Sequence, residues 1–286
     1  MSRIAKLAAK IVVLVLLGGF AGALLVRVAP GFGTDEAEMD SRLNSQSIQA
    51  LRQSNQDQTS FGTFYLHYLG SLLRGDLGES RTLQRPVAQL LRERFPETLK
   101  LVALGLGLGW FVGVSLAIAT VMARRVYLDL VTGLFVGVLL CLPASVLALL
   151  FVLARLPAQL LLAVVILPKV YRYSRNLLAS SAALPHVLTA RAKGLGEWRV
   201  LFWHIFPIVV PQFIALAGVC VSIAFTAAIP VEALCDIPGI GQLAWKAALG
   251  RDVSLLVNLT ILVTLITVVG NSASDLMKRS PSLEAA

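Results

Sequence analysis

Six apolar runs, each about the 20 residues an α-helix needs to cross the hydrocarbon layer of a bilayer, constrain this chain more than any other feature. They fall at 11–29, 98–122, 128–153, 158–178, 207–229 and 253–277. Helices satisfy every backbone hydrogen bond internally, which lipid demands. The predicted fold class is therefore an all-α membrane protein with six transmembrane helices. Composition agrees, since 57% of the 286 residues are hydrophobic and 14% charged, where a soluble domain carries about a quarter charged. The fourth run is interrupted by Pro168, Lys169, Arg172 and Arg175. It either leaves the membrane early or turns those charges toward protein.

The net charge of +9 raises the question of a nucleic-acid partner. The basic residues lie beside the apolar runs rather than in one patch, which is a topology signal and implies no nucleic acid. With the N-terminus inside, the inner segments 1–10, 123–127, 169–206 and the tail hold 13 Lys and Arg. The long outer segment 30–97 mixes 7 arginines with 9 acidic residues. Six spans then leave both termini in the cytoplasm. Arg3, Lys6 and Lys10 before the apolar run Ile11–Val26 could start a cleaved signal peptide; the length of the run and the spans that follow favour an uncleaved first helix. Cys141, Cys220 and Cys235 support neither a disulfide framework nor a metal cluster.

The chain divides into 1–97, a first transmembrane helix with a periplasmic segment, and 98–279, which holds the remaining spans. Within the first part, Asp35–Ser60 is polar. Phe61–Leu73 places Phe61, Phe64, Tyr65, Tyr68, Leu69 and Leu72 at helical spacing, as a helix along the outer membrane surface would. In the second part, "GLGLGWFVG" (Gly105–Gly113) sets small residues for close helix packing.

One stretch breaks the apolar pattern, "TARAKGLGEWRVLFWHIFPIVVP" (Thr189–Pro211). Leu195, Trp198, Leu201, Phe202 and Ile205 recur every three or four residues, forming one helical face, with Lys193, Glu197 and His204 elsewhere. Gly194 and Gly196 bend or cap the chain before this helix, and Pro207 suits the first turn of the next span. A short cytoplasmic helix of this kind is shaped to dock in a partner's groove.

"ARAKGL", followed by a helix and a proline thirteen residues after Gly194, resembles the cytoplasmic coupling loop of binding-protein-dependent ABC importer permeases. "GDLGES" (Gly75–Ser80), Pro86-Val87 and "RFPETLKL" (Arg94–Leu101) resemble that family's approach to its second span. "VEALCDIPGIGQLAWKAALGRD" (Val231–Asp252) resembles its outer loop before the last span. The dipeptide, oligopeptide and nickel branch is the most similar. The resemblance implies the type I transmembrane-domain fold of ABC importers and a bacterial inner-membrane location. It places ATPase coupling in the loop 186–206, at Ala190, Arg191, Ala192, Lys193, Gly194, Leu195 and Trp198. It places a periplasmic gate at Glu232, Pro238, Gly239, Gly241, Arg251 and Asp252. It further implies a second homologous permease, two ATPase subunits that carry ATP and Mg, and a periplasmic or lipid-anchored solute-binding protein, all working in membrane lipid. This chain would then hold no cofactor and no catalytic site, and would form the translocation pore for peptides, with nickel or another small solute as the alternative. Two departures stand out: Leu188 where the family's loop has glutamate, and the short "ARLPAQ" (Ala154–Gln159) between the third and fourth spans.

Other functions find less support. "DIPGIG" lacks the lysine and strand of a phosphate-binding loop and reads as a tight outer turn before a helix over Leu243–Leu249. His67, His186 and His204 form no H-E-x-x-H pair for an intramembrane protease. A secondary transporter would show repeated halves, and none is visible.

Overall fold

Proline placement decides how the apolar runs become helices. The computed structural model describes residues 13, 16–21, 24, 70–72 and 74–278, the side chains of 273–278 excepted. The predicted first span is helical at its described positions. The polar segment 35–60 and most of Phe61–Leu73 lie outside the described residues.

A two-residue antiparallel pair, β1 (Glu79–Ser80) with β2 (Arg85–Pro86), precedes α1 (Val87–Ala123). Then follow α2 (Val126–Cys141), α3 (Ala144–Leu153), α4 (Ala158–Ala182) and α5 (Pro185–Ala192). After these come α6 (Glu197–Val200), a π-helical turn (Leu201–Ile205), α7 (Phe206–Leu234), α8 (Ile240–Leu249) and α9 (Val253–Lys278). Three helical runs, Val87–Ala123, Glu197–Leu234 and Val253–Ser272, are long and apolar enough to cross a membrane. The charges of α4 keep it out of that set, although it is one unbroken helix of 25 residues through Pro168.

The predicted third span is not one straight helix. It is α2 and α3, bent by 94° at Leu142–Pro143. Pro143 has no N–H to continue α2, and its ring holds Leu142 in the extended region (φ −82°, ψ 123°). The second helix also begins earlier than predicted, at Val87 rather than 98. The short link between α3 and α4 stands as read, closed at Arg155 by a left-handed residue (φ 54°).

The described residues form two compact units. In the larger, built on Arg94–Leu243 and the chain from Leu265, α4 is the central element. Leu161, Leu162 and Ile166 pack with Leu101 of α1, Ala148 of α3 and Ala224 of α7. One turn further on, Tyr171 and Leu178 pack with Val187, Ala190, Val200, Leu201 and Ile205. Lipid is as apolar as these side chains, so close fit rather than expulsion of water holds the helices together. The small residues of α1 provide it. A Cβ on Gly105 would meet Leu162 Cβ at 2.7 Å, one on Gly109 the Ala163 carbonyl oxygen at 2.9 Å, and one on Gly113 Val170 Cγ1 at 3.0 Å. In the smaller unit, the β1–β2 turn packs with the end of α8 and the start of α9.

Candidate functional site

The predicted coupling segment is a rigid knuckle. Extended Leu184 and Pro185 in the first turn start α5. Its end is closed by two hydrogen bonds, Leu195 N–H to the Ala190 carbonyl (3.3 Å) and Gly194 N–H to the Arg191 carbonyl (2.9 Å). This paired closure needs a left-handed residue, and Gly194 has φ +78°. A Cβ there would meet nothing within 4 Å, so the glycine bends the chain rather than making room for it. Gly196 caps α6, as expected, at φ −61°, ψ 144°, a conformation that any residue can adopt.

Glu197 holds the knuckle in place. Its carboxylate accepts from Arg124 Nη2 at 2.5 Å and from Arg191 Nη2 at 3.3 Å, and Arg191 Nη1 also donates to the Ala182 carbonyl at 3.2 Å. Arg191 is thus committed within its own chain, while Ala192, Lys193 and Gly194 are exposed. The predicted single apolar face divides. Ala190, Leu201 and Ile205 are buried in the chain's own core with Leu195 packed against them, whereas Trp198 (62% exposed), Phe202 and Trp203 point outward. Trp198, Phe202 and Phe206 stack in sequence, with ring centroids 6.1 and 5.5 Å apart.

The segment is also not a separate helix ahead of the fifth span. Glu197 through Leu234 is one helical run of 38 residues. Pro207 stands in the first turn of α7, as expected, and the preceding π-helical turn, closed by Phe206 N–H to the Leu201 carbonyl, widens the run where the proline ring would collide with an α-helical carbonyl.

In the same unit, the predicted gate loop is organised by Glu232, which is fully buried. Its Oε2 accepts the Gly241 N–H at 2.6 Å, and the Thr98 hydroxyl accepts the Ile240 N–H at 2.8 Å. Neither Gly239 nor Gly241 has a positive φ. They are there for close approach: a Cβ on Gly239 would lie 2.2 Å from Glu232 Oε2, and one on Gly241 2.5 Å from Ile229 Cα. The left-handed residue of the turn is Asp236 (φ 52°), whose carboxylate accepts from Gln242 Nε2. Pro238 is exposed. The helix after the turn starts at Ile240, three residues earlier than predicted.

Arg251 and Asp252 belong to the smaller unit. Arg251 is exposed and left-handed (φ 51°). Asp252 is fully buried. One of its oxygens accepts the Leu255 N–H (3.0 Å), capping α9; the other accepts the Ser80 hydroxyl (2.6 Å) and the Thr82 N–H (3.2 Å). Two motifs 172 residues apart are thereby joined through one carboxylate.

Three participants carried no usable signal in the sequence. Thr98 and Ser80 are ordinary hydroxyls whose roles depend on distant partners. Asp129 of α2 pairs with Arg175 of α4, Nε to Oδ1 at 2.7 Å, beside a Thr132–Tyr171 hydroxyl contact of 2.8 Å. Arg175 thus turns toward protein of its own chain.

The profile of the family described as binding-protein-dependent transport system inner membrane component matches residues 92–280. The oligopeptide transport system permease protein OppB of Salmonella typhimurium is 29% identical over 223 residues, covering 70% of this chain and 72% of the relative. AppB, the corresponding oligopeptide permease protein of Bacillus subtilis, is 26% identical over 247 residues, covering 74% and 77%. Among solved structures, a chain of the MetNI methionine ABC transporter in an inward-facing conformation shares the fold at a TM-score of 0.56 and 19% identity, covering 67% of this chain and 97% of that one.

Proposed function

The chain belongs to the family of binding-protein-dependent transport system inner membrane components, a multi-pass ABC importer permease, and from that premise we propose that it forms half of a peptide-translocating pore. A homologous permease supplies the other half, two ATPase subunits bind at the knuckle 186–206, and a solute-binding protein delivers peptide from outside. ATP and Mg act on the ATPase subunits, and this chain has no catalytic site of its own. Both termini lie in the cytoplasm. The permease alternates between inward- and outward-open states as the ATPases close and open.

The knuckle carries this reading. Lys193, Gly194 and Trp198 stand exposed, held by the left-handed turn and by the Arg124–Glu197–Arg191 bridge. The helix that begins at Glu197 runs unbroken to Leu234, and Glu232 near its far end anchors the outer loop. A push on the knuckle can thus reach that loop along one continuous helical run. The peptide cargo is supported by the names of the two oligopeptide permease relatives.

Gly194→Asp tests the coupling role. Space is open at Gly194, but its φ of +78° strains any side chain, by about 1–2 kcal/mol. Gly194→Asn carries that strain without the charge and is the control, whereas Gly194→Asp also places a charge where the ATPase would close over it. Burying an unpaired charge costs several kcal/mol, and each 1.4 kcal/mol is about tenfold in affinity. The ATPase subunits are lost on affinity purification and uptake is abolished. Full retention of the ATPase with normal uptake refutes the coupling role.

A further inference from the structure

One side of α4 is polar. Lys169, Arg172, Tyr173, Asn176 and Ser180 recur every three or four residues and so share a helix face. The opposite side, with Tyr171, Ser174 and Leu178, is buried. On the polar side Arg172, Tyr173, Asn176 and Ser180 are exposed and Lys169 is half-buried. Two turns toward the N-terminus the same side is closed, with Leu162 packed against Gly105. Lys169 lies eleven residues after Ala158, about 16 Å along the helix; with the α3–α4 link at one membrane face, that is half of a hydrocarbon layer about 30 Å thick, deeper than the inner segment 169–206 read from the sequence. At that depth a lysine stem cannot carry its charge out to either headgroup layer.

Among the described side chains, no carboxylate pairs with Lys169 or Arg172. Asp129 is held by Arg175, Glu197 by Arg124 and Arg191, and Glu232 sits against Gly239 and Gly241. A charged face at this depth borders protein or water, not lipid. We propose that the Lys169–Arg172 face of α4 lines the solute pathway and attracts the carboxylate of the transported solute, making Lys169 a specificity-determining residue. The inference rests on the chain being a pore subunit. The strongly hydrated ammonium of Lys169 on its flexible stem suits a solute that must bind and then leave, since conduction requires attraction weak enough for release.

The test uses the complete transporter in proteoliposomes, with Cys141, Cys220 and Cys235 replaced and Tyr173→Cys as reporter, one turn from Lys169. Rates of modification by a sulfonate-bearing and a trimethylammonium-bearing methanethiosulfonate are each divided by the rate with a free thiol. The anionic reagent reacts about fivefold faster or more, because a fixed charge in a cleft concentrates counter-ions. Lys169→Met brings the ratio close to one, and Lys169→Arg preserves it. No reaction with either reagent, or an unchanged ratio in Lys169→Met, overturns the proposal. Trialanine and its C-terminal amide report on the cargo: Lys169→Met lowers uptake of the acid about tenfold with little change for the amide, and equal losses also overturn the proposal. ATPase retained by Lys169→Met shows that the assembly is intact; if it is lost, Lys169→Gln replaces it. A wild-type complex that shows the labelling preference yet imports neither peptide refutes the peptide cargo and leaves the cationic pathway standing.

Discussion

Gly239→Ala is a small change at a site with no room for it. The added Cβ would lie 2.2, 2.3 and 2.4 Å from Oε2, Cδ and Oε1 of Glu232. The nearest oxygen must retreat to at least 3.0 Å, and it is the oxygen that accepts the Gly241 N–H at 2.6 Å. That bond, to an acidic side chain buried to 0% exposure, is then broken or badly bent. Losing it costs about 1–3 kcal/mol, and since the obstructing atoms are the end of one side chain that can shift, overpacking adds little, so a destabilisation of roughly 2–3 kcal/mol is expected. All three nearest atoms belong to one side chain, which makes the reasoning testable by a double-mutant cycle. In a Glu232→Ala background the obstruction is gone, and Gly239→Ala becomes nearly neutral, a coupling of about 2–3 kcal/mol. Gly241→Ala serves as the control, because its Cβ meets backbone atoms of Ile229 at 2.5 and 2.6 Å and is not rescued. Unfolding of the purified chain in detergent micelles measures the four corners, and stimulation of ATP hydrolysis by the binding protein reports on the loop's role. Equal costs of Gly239→Ala in both backgrounds would refute the steric account.

The remaining expectations concern the smaller unit and topology. Asp252→Ala removes the cap of α9 and the Ser80 and Thr82 contacts; capping alone is worth about 1 kcal/mol, so a loss of about 2–4 kcal/mol in the same unfolding assay is expected, and a loss below that of a lone cap would show that the joined motifs add nothing. A reporter active only in the periplasm is active when fused after Gln56 and silent after Glu197, as the distribution of Lys and Arg requires; the reverse pattern overturns the orientation.

The sequence alone determined the class of this protein, because long apolar runs leave a chain little choice but helices in lipid. It also located the two special segments, since a cationic, glycine-bearing interruption and a proline–glycine turn are local signals. Gly105, Gly109 and Gly113 were legible as packing positions for the same reason: helical spacing is written in one dimension. What each special residue does was not legible. Gly194 and Gly239 look alike in sequence, yet one supplies a left-handed turn in open space and the other vacates volume for Glu232. Arg191 and Arg175 read as partner or topology charges until Glu197 and Asp129 came within reach. Trp198 and Leu201 shared a predicted face, but the core took one and left the other exposed. Only the tertiary structure decided these, because carboxylates and neighbouring helices distant along the chain, such as Asp129, 46 residues from Arg175, set the contacts, and no local pattern encodes a distance in space.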